Sequence, residues 1–236
     1  MKFIVSEKVF DELGDVCFGV VVAKDINNND NNIWINELLK ESISSVEQKF
    51  QDKKVKESEE ILPYREAFKK IGINPNQNMS SIEAMTTRIS KKKGLPSINP
   101  IVDLGNAISL KYLVPLGAHD MDSASKDIQV RFSNKGDLFV PFGETEAEVL
   151  EDGELIYSVG DKVKTRRWIW RQSEEGKITE GSKNIFFPID GFKDRNYDKV
   201  IGARDELAQL LKQLLGAEVK VGFIDKDNKE RSEERR

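Results

Sequence analysis

PSINPIVDLGNAISLKYLVPLGAHDMD, residues 96–122, is the most informative stretch of the 236-residue chain. Pro100 is placed to open a helix, in which Val102, Leu104 and Ile108 supply apolar surface. Asp103, Asn106 and Ser109 recur at three-residue spacing and so line one polar face. Gly105 lets another backbone or a ligand approach closely. From spacing alone, this face reads either as a helix cap with solvent contacts or as support for a ligand. His119, the single histidine of the chain, follows beside Asp120 and Asp122. A neutral imidazole there can orient water or a ribose, or can be a satisfied structural residue.

Upstream of this stretch the pattern is mainly helical. Ile35, Leu38, Leu39, Val46 and Phe50 predict a helix over about 34–50. Pro63 and Gly72 bound a second one, with Tyr64, Phe68 and Ile71 on its buried side. Ser80 and Glu83 have capping-box spacing, so a third should begin at Ser81 and end in Lys91 to Gly94. The lysines there suit the negative helix end, with an RNA backbone contact as the alternative. Before these helices, Lys2 to Val5 and Val16 to Ala23 read as strands. The second is a continuous apolar run, as in a strand covered on both faces. Residues 27–32 are nearly all Asn and Asp and read as an exposed loop.

Downstream the pattern turns to short strands. Ile128, Val130 and Phe132 alternate, and a turn over 134–137 leads into Leu138 to Phe142. Leu155 to Val159, Lys162 to Trp170 and Asn184 to Ile189 follow. A helix through Leu207, Leu210, Leu211 and Leu214 stops at Gly216, and Glu218 to Ile224 is the last strand. Helices first and strands later predict an α+β fold, helices flanking a mostly antiparallel sheet. Residues 1–62 are expected to form a strand and helix layer integral to the domain, 63–224 its core, and 225–236 a disordered tail.

Net charge is −4, so general attraction to a polyanion is not available and any nucleic-acid contact needs a local basic face. Lys162, Lys164, Arg166, Arg167 and Arg171 fall within 162–172, a stretch that contains no acid. If it is one strand, Arg166, Trp168 and Trp170 share one face and Arg167, Ile169 and Arg171 the other. Arg with Trp suits phosphate contacts and base stacking, or else the tryptophans are core and the arginines rim it. The lone Cys17, set among apolar neighbours, reads as buried and structural. One His and one Cys cannot form a zinc site, and no phosphate loop, nucleophile elbow or dinucleotide fingerprint is present, so no metal or cofactor is expected. The beginning of the chain lacks a signal-peptide pattern and no run can span a bilayer, which points to a cytoplasmic protein.

Several of these segments together resemble the tRNA-binding and editing domain of the bacterial phenylalanyl-tRNA synthetase beta subunit. Ile98 to Ala107 is similar to that family's Ile-Asn-Asn-Val-Val-Asp-Val-Thr-Asn-Tyr stretch. Leu116 to Asp120 is similar to its turn containing Met-His-Ala-Phe-Asp. YREAFKKIGINP looks like its entry helix, and GSKNIFFPIDGF like a late strand reading Thr-Arg-Asn-Val-Leu-Leu-Glu-Ala-Ala-Phe. The resemblance spans about 63–192.

It implies a free-standing editing-like protein that binds a tRNA 3′ end and hydrolyses a misacylated ester in trans, with no ligase activity of its own. Asn106 and His119 would be catalytic. Gly105, Ser109, Arg166, Trp168, Trp170, Arg171, Gln172 and Pro188 would bind substrate. Gly105 stands where the family has Thr and Pro188 where it has Glu. Arg167 to Arg171 replaces a glycine-rich strand, which implies a changed substrate. A non-catalytic module for tRNA, an amino acid or a nucleotide is the alternative on the same scaffold, and an enzyme acting on an amino-acid-like small molecule is a third.

Overall fold

Two apolar runs, Val16–Lys24 and Ile185–Phe192, lie side by side and antiparallel, and the rest of the chain covers both of their faces. A computed structural model describes residues 1–28 and 32–232. Their order is β1 (Lys2–Val5), α1 (Glu7–Leu13), β2 (Val16–Lys24), α2 (Ile33–Lys49), a 3₁₀ turn (Val55–Glu57), α3 (Leu62–Lys70), α4 (Ser81–Ser90) and α5 (Pro100–Tyr112). Then come β3 (His119–Asp120), β4 (Ile128–Phe132), β5 (Leu138–Phe139), β6 (Glu148–Val149), β7 (Leu155–Val159), β8 (Lys162–Arg166) and β9 (Arg171–Gln172). β10 (Ile185–Phe192), α6 (Tyr197–Leu215), β11 (Glu218–Ile224) and β12 (Glu230–Ser232) complete it.

The strands form two sheets, ordered β11-β2-β10-β3 and β12-β1-β4-β7-β8-β5-β6, with β9 paired to β8. Pairing is antiparallel except between β1 and β4 and between β5 and β8. Strand alternation assigns the two faces of the smaller sheet to different cores. Ile185, Phe187 and Ile189 pack with Ile101, Leu104 and Ile108 of α5 and with Leu207 and Leu211 of α6. Phe186 and Phe192 face the larger sheet, among Phe3, Val130, Tyr157 and Trp168. This is an α+β fold with helices flanking mostly antiparallel sheets.

Local chemistry explains the helix starts. Asn99 caps α5 by accepting from Val102 N at 3.0 Å, Pro100 sits in the first turn, and Ser80 caps α4 by accepting from Glu83 N. Caps of this kind stabilise a helix by about 1 kcal/mol each.

One element is not anticipated by the sequence reading, and four of its expectations need correction. The seven-residue helix α1 is too short for its apolar spacing to show. The strand expected over 138–142 ends at Phe139, before Pro141. The segment 27–32 is not uniformly exposed: Asn28 is buried, donating to Thr179 O and accepting from Ile101 N, and Asn32 caps α2. Residues 29–31 of that expected loop lie outside the described residues. The tail expected to be disordered from 225 instead turns at 225–228 and pairs through β12 with β1, Lys2 opposite Ser232. Residues 233–236 lie outside the description. Finally, the strand expected over 162–170 stops at Arg166, where Arg167 and Trp168 adopt left-handed backbone at φ 49° and 60°. That last change builds the site.

Candidate functional site in a cleft between the two sheets

Non-glycine residues in the left-handed region cost about 1–3 kcal/mol each and persist only where their surroundings hold them. Trp168 is held on three sides. Its backbone N–H donates to Leu155 O at 2.6 Å, and its ring is fully buried against Tyr64, Phe68 and Phe192. Its indole Nε1 donates to Asp190 Oδ1 at 2.7 Å. Arg167 is tied down by Asn78 and Glu154 and stacks its guanidinium over Trp170, 4.5 Å from the ring centroid. The turn thus drives one tryptophan into the core and leaves the other partly exposed beside it.

Asp190 is the polar centre beneath this turn. It is buried, and Oδ1 also accepts from Tyr157 Oη at 2.7 Å. Its main-chain carbonyl accepts from Tyr64 Oη at 2.9 Å, and that hydroxyl accepts from Asn196 Nδ2 at 2.8 Å. Burial pushes the Asp190 carboxyl up to about 7, against the opposing hydrogen bonds from Tyr157 and Trp168.

The facing wall is the chain after α5. Leu116 bridges to Ile189, Gly117 N donates to Pro188 O at 2.9 Å, and His119 pairs with Phe186. Pro188 is tolerated inside β10 because its nitrogen points the same way as its carbonyl, toward Gly117, so no bond to β2 is lost. His119 is buried, stacks on Tyr157 at 5.7 Å, and its Nδ1 is enclosed without a hydrogen-bond partner. Burial first, and the Lys164 ammonium second, hold its imidazole down at about 4, so it is neutral at pH 7.

These walls enclose a cleft of about 90 Å³, lined by His119, Tyr157, Trp168, Trp170, Pro188 and Asp190 among others. Of the residues singled out from sequence, the cleft brings together His119, Trp168, Trp170, Gln172 and Pro188. Gln172 also donates to Ala118 O at 2.8 Å, bracing the wall that carries His119. Gly105, Asn106 and Ser109 stay behind that wall on α5. A Cβ on Gly105 would meet Leu116 Cδ2 at 3.3 Å, and Ser109 Oγ donates to Val114 O at 2.6 Å. Asp103 accepts from Ile98 N at 2.9 Å and from Ser97, so this polar face holds the loop before the helix.

Arg166 is spent on Glu148 and Glu154, and Arg171 is exposed on β9 away from the cleft lining. The expectation that Arg166, Trp168 and Trp170 share a strand face fails because the strand has already turned. Sequence reasoning missed Asp190, Tyr157 and Gly117. Asp190 carried a signal: it is the single carboxylate in the apolar run Ile185–Phe192, two residues from Pro188 and therefore on the same face.

The two shifted groups oppose each other in stability. Asp190, raised, favours the fold below about pH 4 and loses that contribution as pH rises through about 7. His119, lowered, weakens the fold below about pH 6.5, and stability returns as pH rises from about 4. Between about pH 4 and 6.5 their slopes cancel. Asp190→Asn is therefore expected to make stability, measured against the parent chain, rise with pH across that window by up to about 1.4 kcal/mol per unit. Denaturant titrations at a series of pH values check this, and parallel curves for the two proteins would refute it.

The family described as the B3/4 domain matches residues 63–216. Phenylalanine–tRNA ligase beta subunits are similar in sequence. That of Idiomarina loihiensis is 31% identical over 102 residues, 43% of this chain and 12% of the relative. That of Colwellia psychrerythraea is 30% identical over 115 residues, 49% and 14% of the two chains. That of Bacillus subtilis is 26% identical over 159 residues, covering 57% and 20%. The chain therefore spans a fifth or less of the length of these relatives. An N-terminal fragment of the phenylalanyl-tRNA synthetase beta subunit from Pyrococcus horikoshii, a crystal structure, aligns at TM-score 0.49 and 14% identity over 92% of this chain and 49% of that one. No helix among the described residues is long and apolar enough to cross a membrane.

Proposed function

Because the chain belongs to the B3/4 domain family, we propose that it binds the 3′ end of an aminoacyl-tRNA and hydrolyses the ester of a misacylated one in trans. The observation that carries this reading is the neutral, unpaired imidazole of His119 lining the same cleft as the buried carboxyl of Asp190. Hydrolysis of an aminoacyl ester adds water to the carbonyl carbon and breaks its bond to the ribose oxygen. Near pH 7 the neutral imidazole of His119 can take the proton of the attacking water. Asp190, poised near neutrality, can give a proton to the departing ribose oxygen. Gly117 and the neighbouring backbone leave room for the ester beside His119.

The volume favours a small amino acid. An apolar cavity of about 150 Å³ is what takes a benzene ring, so an aromatic side chain would extend from a half-open cleft of about 90 Å³ toward partly exposed Trp170 and Gln172.

Purified protein incubated with a panel of mischarged tRNAs tests the proposal. Deacylation of at least one member is expected, with His119→Gln slower by about a hundredfold. No turnover of any member together with intact tRNA binding would replace the enzyme by a non-catalytic binding module.

A further inference from the structure

The arginines around the cleft are poor candidates for holding an RNA backbone. Arg166 is paired to Glu148 and Glu154, and Arg167 to Glu154 and Asn78. Arg171 makes no ion pair among the described residues but stands alone and off the cleft lining, whereas several cations gather in a groove beside α4. A groove of about 370 Å³ between the 3₁₀ turn, α3 and α4 is lined by Lys53, Lys54, Lys56, Arg65 and Lys91 against the single carboxylate of Glu83, which is buried and paired to Arg65. Lys54 pairs with Glu57, while Lys53, Lys56 and Lys91 are exposed and make no ion pair among the described residues, Lys56 acting on Glu83 only at longer range. In a chain of net charge −4, such a local excess of cations is the exception.

One short chain segment borders both the groove and the cleft. Met79 lines the groove and Ser81, two residues on, lines the cleft, so the segment Asn78 to Ser81 is a shared wall. That segment is fixed to the Trp turn at both ends, by Arg167 to Asn78 and by Ser81 N to Ile169 O at 2.8 Å. An RNA terminus whose last residue enters the cleft would carry its preceding phosphates past this wall. Thr87 and Ser90 offer hydroxyls and Asn76 an amide along the same groove.

We propose that the groove beside α4 is the phosphate track of the RNA substrate, with Lys53, Lys56 and Lys91 as its contacts. The proposal rests on the reading of the cleft given above but names a different surface. Three phosphate contacts on a single strand contribute about 2 to the slope of log affinity against log salt.

The test uses the triple variant Lys53→Gln, Lys56→Gln, Lys91→Gln of the full chain. All three positions are exposed, so stability should stay within about 0.5 kcal/mol of the parent. The probe is a fluorescent RNA hairpin with a four-nucleotide single-stranded 3′ overhang, titrated from low to physiological salt. The expected result is binding weakened at least about tenfold at physiological salt and a slope shallower by about 2, while Arg166→Ala with Arg171→Ala changes neither. Equal affinity and slope for the triple variant and the parent would overturn the track. So would equal binding of a blunt hairpin by the parent, since the track is argued for an end entering the cleft.

Deacylation separates the two readings. Turnover by the parent with an unchanged KM in the triple variant removes the track and keeps the hydrolase. Salt-dependent binding lost in the triple variant, without turnover by the parent, keeps the track and removes the hydrolase.

Discussion

Asp190→Ala is expected to lower the unfolding free energy by about 3–5 kcal/mol, the largest stability effect of any single polar substitution at the cleft. Two buried donors, Tyr157 Oη and Trp168 Nε1, share Oδ1 of this residue, and alanine leaves both without an acceptor. Each buried orphan costs about 1–3 kcal/mol. The left-handed backbone at Trp168 adds to this, because the indole bond is part of what holds it there. The Tyr64 and Asn196 arm of the network bonds the main-chain carbonyl, which alanine keeps, so that arm should survive. Asp190→Asn is the discriminating companion. Its amide oxygen can still accept both bonds, and the loss should stay under about 1.5 kcal/mol. Urea titrations at pH 6, where the carboxyl is largely protonated, measure both. A cost below about 1 kcal/mol for alanine would mean that the two donors find water in the cleft instead.

How much of this was legible beforehand follows from where the information sits. The helices over 33–49, 81–90, 100–112 and 197–215 and the doubly covered strand at 16–24 announce themselves by period and caps, because those signals are local. The strand end at Arg166 does not. Nothing in Arg-Arg-Trp-Ile-Trp-Arg disfavours continued strand, and a tryptophan at positive φ is chosen only by its distant partners Leu155 and Asp190. Both faces expected of that stretch were therefore misassigned, and the basic surface with them. Arg166 looks available for phosphate from sequence because Glu148 and Glu154 are remote, whereas Lys91 reads as part of a helix end.

The site shows the same division. His119 and Pro188 line one cleft because two neighbouring strands carry them. Asp103, Asn106 and Ser109 recur along α5 at the three-residue spacing, yet they do not line the cleft. Leu116 stands between, and periodicity states which residues share a face without stating what the face meets.

If the cleft hydrolyses an ester as proposed, Gly117→Ala is expected to slow deacylation by about tenfold while leaving stability within about 1 kcal/mol. The backbone of Gly117 does not occupy the left-handed region, so alanine is conformationally acceptable and even restricts the unfolded chain. The new methyl is the difficulty. It would lie 3.2 Å from Pro188 Cγ and 3.4 Å from His119 Nε2. Pro188 cannot yield, because its ring is closed on a backbone paired along its whole strand with β2. The Gly117 segment must move instead, taking with it His119 two residues along. The contacts call for a shift of a few tenths of an ångström, and since about 1 Å in a proton-transferring group costs about a hundredfold, about tenfold is expected. Gly105→Ala is the contrast: its methyl would meet only the flexible end of Leu116, at 3.3 Å, and inside a helix alanine is favoured by up to about 1 kcal/mol. That variant should deacylate within about threefold of the parent. Turnover constants and thermal melts of the two variants, measured side by side, decide the matter. If Gly117→Ala keeps its rate, or Gly105→Ala loses it, the reacting ester lies against α5 and not between Gly117 and Pro188.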